Sequence, residues 1–176
     1  STPIKSSAAS DVYKRQETQG IMPMGLKLNK EIAMNQTLST YHMIMPKDLN
    51  PRGTLFAGSC ANFMIEGGFL TAEAFLGHPH MVFFGMNGMK FVKSVEKGET
   101  VSVTGTVVDA GKTSLGVFVT VRFLHTKELA AQSYLTFVSI DENTGRPVPH
   151  GAKLDNLTEE MKAHQMTYRK LTAIRE

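Results

Sequence analysis

Cysteine is almost missing from this chain: Cys60 is the single one among 176 residues. One cysteine excludes an intrachain disulfide framework and a thiolate metal centre, and it fits a reducing compartment, most simply a cytoplasm. Long apolar runs are also lacking. None reaches the ~20 residues needed to span a bilayer, and the start of the sequence lacks the basic-then-apolar pattern of a signal peptide. No membrane partner is expected. Charge of one sign is scarce as well: the formal net charge is +3, with lysines and arginines scattered along the chain. Without a basic block interleaved with aromatics, and without a recognition motif, nucleic acid is not expected as a partner. The stretch "GGFLTAEAFLG" (67–77) lacks the glycine spacing of a phosphate-binding turn after a strand. His78 and His80 in "HPH" have no nearby acid or cysteine to complete a metal set, so that segment reads as a turn. No metal and no cofactor is expected.

What is present suits one folded domain. A hydrophobic fraction of 41% and a charged fraction of 20% are those of a globular protein, and 176 residues supply one core but not two ordinary ones. Residues 1–34 show no hydrophobic period and read as a disordered leader. Within it "SSAASDVYKRQ" resembles translated adaptor sequence, which points to Met22, Met24 or Met34 as the native start. The domain is expected over residues 35–152, and a polar, helix-permissive tail over 153–176. That tail reads as peripheral and carries no chemistry.

Thr37–Met45 alternates as a strand, with Leu38, Thr40, His42 and Ile44 on one face, and Pro46 ends it. A helix is predicted over Ala57–Leu76, closed by Gly77. Four strand-like runs follow, over 81–95, 100–110, 113–125 and 129–141. The third is the cleanest: Leu115, Val117, Val119, Val121 and Phe123 share a face. Short connections predict a meander of antiparallel hairpins. A ferredoxin-like order needs a second helix between strands, and none is visible. The pattern therefore implies an α+β fold, one antiparallel sheet curled around one long helix. That helix is apolar nearly all round, as an enclosed helix should be. Gly67 and Gly68 each cost roughly 1 kcal/mol against alanine in a helix interior, so close backbone approach to a strand or subunit is their expected reason. One helix cannot cover such a sheet and both its edges, so a homodimer that joins sheet to sheet is expected at minimum.

The ordered set Asn50-x-x-Gly53, Phe56-x-Gly58, an acid one or two helix turns later, "GMKFVKSVEKGETV" (88–101), "GKTS" (111–114) and "VSIDENTGRPVPH" (138–150) resembles the hotdog-fold acyl-CoA thioesterases. The resemblance covers about Leu38 to His150. It implies the same sheet-around-helix fold, dimers and often higher homo-oligomers, and an acyl-CoA substrate. This sequence departs from the commonest family pattern at one place. The catalytic acid there falls twelve residues after the glycine matching Gly53; here that residue is Ile65, and Glu66 follows it.

Thioester hydrolysis needs a placed water, a base and donors for the carbonyl oxygen as it gains charge. Glu66 is the base or nucleophile candidate, on the expectation that an apolar surround activates it. Asn50 can hold the attacking water or the thioester carbonyl through its side-chain amide, or simply form the turn before Pro51. Phe56, Ala57 and Gly58 stand where the helix begins, and the amides of Ala57 and Gly58 there can serve as an oxyanion site. For CoA, the segment Asn87, Lys90, Phe91, Lys93 offers an extended edge for pantetheine amides. Lys90, Lys93 and Lys112, with the hydroxyls of Thr113 and Ser114, are the phosphate candidates. Cys60 reads as a packed core thiol. Two other readings remain: an acyl-CoA-binding protein without turnover, and a dehydratase. The dehydratase would want a histidine at the helix entry, and none occurs between Pro46 and Gly77.

Overall fold

The computed structural model describes residues 36–155 and 157–173. The expected leader therefore lies outside the described residues. Strand β1 (Thr37–Met43) alternates exposed and half-buried positions as its pattern predicts. Pro46 cannot donate to a ladder, and a single 3₁₀ turn (Pro46–Asp48) replaces the strand there. Asp48 is buried in that turn, where its Oδ2 accepts the Met45 N–H at 3.0 Å.

Helix α1 spans Ala57–Leu76 and stops at Gly77, whose φ of 78° is left-handed. Its buried positions, Cys60, Met64, Gly67, Gly68, Thr71 and Ala72, recur every three to four residues and face the sheet. The strands are β2 (Met81–Phe91), β3 (Thr100–Ala110), β4 (Ser114–Phe123) and β5 (Leu129–Ser139). They form one antiparallel sheet in the order β1-β3-β4-β5-β2. Helix α1 lies along its concave face against β1, β3, β4 and β5. This is the hotdog arrangement, α+β with one central helix.

Both helix glycines are points of close approach. A Cβ on Gly67 would stand 2.9 Å from Val103 Cγ1, and one on Gly68 would stand 2.5 Å from Leu135 Cδ1. The sheet answers with its own glycine, Gly105, whose bare Cα faces the Thr71 side chain. Around these contacts sits the core: Met64, Val101, Val103, Val117, Val119, Val121, Leu135 and Phe137 are all fully buried.

Two expectations need correction. The four later strands are not a simple meander. Hairpins do join β3 to β4 and β4 to β5, but β2 pairs with β5 at the opposite side of the sheet from β1. The segment 92–99 crosses back instead of turning, held by Leu55 N–H donating to Val95 O at 2.8 Å and Ile44 N–H donating to Glu99 O at 2.9 Å. Connection length says nothing about which strand takes which neighbour. The C-terminal tail is also less peripheral than its polarity implied. Helix α2 (Glu159–Thr172) lies on the convex face of the sheet. Tyr168 is buried there, with its ring against Gly116 and its hydroxyl 2.9 Å from Thr136 Oγ1. Arg169 Nη2 adds a 2.7 Å ion pair to Asp109.

Candidate active site

The loop between β1 and α1 is held tightly by its own polar atoms. Asn50 N–H donates to Thr54 O at 2.8 Å, and Gly53 N–H donates to Asn50 O at 3.0 Å. Gly53 itself has φ 80°, the left-handed region that a turn of this kind gives most cheaply to glycine. The Asn50 side chain is part of the same lock. Its Oδ1 accepts the N–H groups of Arg52 (2.9 Å) and Thr54 (3.3 Å), and its Nδ2 donates to Thr54 Oγ1 at 2.9 Å. The turn reading of Asn50 thus holds, whatever else the residue does.

A cleft of about 330 Å³ opens beside this loop, lined by Asn50, Thr54, Leu55, Ala57, Cys60 and, from the end of β2, the segment after it and β5, Phe91–Val95 and Ala130–Ala131. Small side chains, Ala57, Cys60, Ala130 and Ala131, make up part of its lining. Helix α1 begins at its wall. Phe56 caps the helix without a side-chain bond, and its carbonyl accepts the Cys60 N–H at 3.0 Å. The first-turn amides of Ala57 and Gly58 carry no acceptor among the described residues, as expected of a helix start. The space a side chain would need at Gly58 is filled by the Phe56 ring. Burial pushes the Cys60 thiol up to about 11, so it stays protonated and inert at neutral pH.

Of the predicted residues, Asn50, Ala57, Phe91 and Lys93 meet at this cleft, and Phe56 and Gly58 adjoin it. Lys93 is partly committed: its Nζ donates to Glu128 Oε2 at 2.7 Å and sits 5.4 Å above the Phe123 ring. Asn87 is in β2 opposite Tyr134, and its carbonyl accepts from Ser133 Oγ at 3.0 Å. Lys90 is exposed opposite Gln132. Lys112, Thr113 and Ser114 do not join them. Ser114 pairs with Val138, seven residues along β5 from Ala131, so they lie roughly 23 Å away along the sheet at about 3.3 Å per residue. Their neighbour there is His150, whose N–H donates to Lys112 O at 3.3 Å.

Glu66 is the clear departure from expectation. It is exposed in the single chain, makes no hydrogen bond or ion pair among the described residues, and does not line the cleft. The reason is geometric. Gly67 and Gly68 are the residues pressed on the sheet, and a helix turns about 100° per residue, so their neighbour points outward. Glu66 shares that outer stripe with Asn62 and Leu70, at four-residue spacing. An exposed apolar strip also lies on the edge strand β2: Val82, Phe83 and Phe84, the last 62% exposed. Thr54 and the alanines of β5 escaped the sequence reading. Only the Asn-x-x-x-Thr spacing, which closes the turn, could have pointed to Thr54.

A sheet wrapped on a central helix defines the chain as a hotdog protein, with a cleft at the helix entry. The thioesterase superfamily profile matches residues 52–130. A Bacillus subtilis (strain 168) relative, the uncharacterized acyl-CoA thioester hydrolase YkhA, is 31% identical over 125 residues, which cover 69% of this chain and 72% of that one. Among solved structures, an acyl-CoA hydrolase from Staphylococcus aureus in complex with butyryl coenzyme A, coenzyme A and coenzyme A disulfide superposes with a TM-score of 0.66 at 26% identity, over 81% of this chain and 85% of that one. A hexameric acyl-CoA thioesterase in its apo form gives 0.68 at 28% identity, over 81% and 92%. The chain belongs to the acyl-CoA thioester hydrolases of the thioesterase superfamily.

Proposed function

We propose that this protein hydrolyses acyl-CoA: water adds to the thioester carbonyl, the C–S bond breaks, and a carboxylic acid and free CoA thiol leave. The observation that carries the reading is the cleft itself, where a lining that includes Ala57, Cys60, Ala130 and Ala131 meets the start of α1 and the Asn50 amide. Free N–H groups at a helix start stabilise an oxygen that gains negative charge. Glu66 is the base or nucleophile in this reading. The exposed apolar strip on the edge strand β2 supports a homodimer formed along that strand, and Glu66 is exposed on the single chain. A partner laid on that strip would cover Glu66 and face it toward a cleft between subunits. It would also allow Lys112, Thr113 and Ser114 of one copy to serve CoA held mainly by the other. A higher homo-oligomer follows by analogy with the hexameric relative. No helix among the described residues is long and apolar enough to cross a membrane. A cytoplasmic location belongs to this proposal on the single cysteine, which fits a reducing compartment.

Binding without turnover is the second reading, favoured by Ile65 in the usual place of the acid and by the outward position of Glu66. The test is release of CoA thiol from short-, medium- and long-chain acyl-CoAs by wild type and Glu66→Gln. Turnover that collapses in the variant, with binding intact, supports enzyme and catalyst together. Turnover that survives removes Glu66 from the chemistry. Saturable binding with no thiol released from any ester turns the protein into a binder.

A further inference from the structure

The Asn50 amide is more constrained than a loop residue needs to be. Two backbone N–H groups, from Arg52 and Thr54, point at one of its terminal atoms. Backbone N–H groups only donate, so that atom is the oxygen, and the amide orientation is settled by its surroundings. One N–H of Nδ2 is taken by Thr54 Oγ1 at 2.9 Å. What remains is a single N–H with no acceptor among the described residues, on a half-buried side chain that borders the cleft. Thr54 also borders the cleft, and it is anchored from both sides. Its carbonyl accepts the Asn50 N–H, and its backbone bridges to Glu96. The next residue, Leu55, is tied to Val95.

We propose that Thr54 is a positioning residue that locks the Asn50 amide as a one-donor group, so that Asn50 acts by donating a hydrogen bond to the thioester carbonyl and not by holding the attacking water. The oxygen that would accept from a water is spent in the turn. The inference rests on the acyl-CoA reading above and favours the carbonyl role of Asn50 over the water-holding one. It also assigns Thr54 a part in the reaction although Thr54 does no chemistry itself. A donor aimed at the carbonyl gains strength as the oxygen becomes anionic, so its loss shows in kcat more than in KM.

The experiment compares wild type with Asn50→Asp, Thr54→Val and Thr54→Ser, each checked by thermal melting. One readout is steady-state thiol release. The other is the infrared carbonyl stretch of bound S-(2-oxopropyl)-CoA, ¹³C-labelled at its ketone, which cannot be hydrolysed. Asn50→Asp keeps the turn oxygen and removes the donor; a fall in kcat of about 10²–10³ with little change in KM is expected. Thr54→Val keeps the shape and removes the acceptor for Nδ2; kcat should fall about tenfold, and Thr54→Ser should restore it. In both impaired variants the ketone stretch should rise toward its value in water-free solvent. Retained or increased kcat in Asn50→Asp overturns the donor role, since a carboxylate would hold a water better than an amide does. Wild-type kcat and stretch in Thr54→Val overturn the positioning role. If wild type shows no turnover at all, the hydrolase reading fails separately, and the infrared arm still decides. A lowered stretch in wild type that is lost in Thr54→Val supports the lock; one frequency in every protein overturns it.

Discussion

Replacing Gly68 by alanine sets two well-known effects against each other at one atom. Alanine is favoured over glycine in a helix interior by about 1 kcal/mol, so on propensity alone the change should stabilise. The structure opposes it. The new Cβ would stand 2.5 Å from Leu135 Cδ1 and 3.3–3.4 Å from two atoms of the Phe137 ring. Leu135 is fully buried and Phe137 nearly so, and Phe137 is flanked by the rings of Phe69 and Phe83 at 6.0 and 5.8 Å. Leu135 must shift its terminal methyl group within a buried core. Overpacking a filled core costs about 1–3 kcal/mol, so the net expectation is a loss of about 1 kcal/mol instead of a gain. Urea unfolding at fixed protein concentration measures it, with the slope checked for two-state behaviour. The second arm is Leu135→Val, which removes the offending methyl group's reach. The double variant should lose less than the sum of the singles by about 1 kcal/mol, because both changes act on one contact. Gly68→Ala at or above wild-type stability, or strictly additive losses, would refute the claim that this glycine exists for the sheet contact.

Three further outcomes follow from the convex face and the cleft. Tyr168→Ala should cost about 3 kcal/mol or more, as deletion of a buried aromatic does, and should expose Gly116 and detach α2, seen as fast amide exchange over 159–172. His164 stacks on Phe118 at 3.8 Å and bonds the Tyr134 hydroxyl at 2.7 Å, and burial holds its pKa below the ordinary 6.5, with Glu160 partly opposing the shift. The unfolded state therefore binds the extra proton, so the stability His164 contributes is full above pH 6.5 and is lost as pH falls through its folded pKa. Melts from pH 7.5 to 5 should show that loss, and His164→Gln should flatten it. Cys60 should resist thiol reagents in the native protein and react once denatured, because burial keeps it protonated; fast native labelling would contradict the packed position.

Much of the local structure can be read before any fold is known. Helix α1 begins and ends at the residues its pattern names, because the turn ahead of it and Gly77 behind it act on the backbone locally. The alternation in β4 correctly assigns Leu115, Val117, Val119, Val121 and Phe123 to the core, since a strand's period needs no knowledge of its partners. The ordered glycine, asparagine and aromatic motifs were likewise enough to point to the family. Other features depend on atoms far apart in the chain. The placement of β2 beside β5 reflects which edges meet after collapse. The outward turn of Glu66 could not be read from a helix apolar nearly all round, because such a pattern favours no face; the contacts of Gly67 with Val103 and Gly68 with Leu135 choose it. Tyr168 stands in a polar tail, and only Gly116, in another element, leaves room for its ring. The separation of Lys112 from the Asn50 cleft is set by strand length and register. Sequence by itself determined where the chain bends, rises and alternates, because those choices are made over a few residues. Tertiary structure decided which faces meet, and with them which polar groups reach the cleft, because those contacts form only between segments distant in sequence.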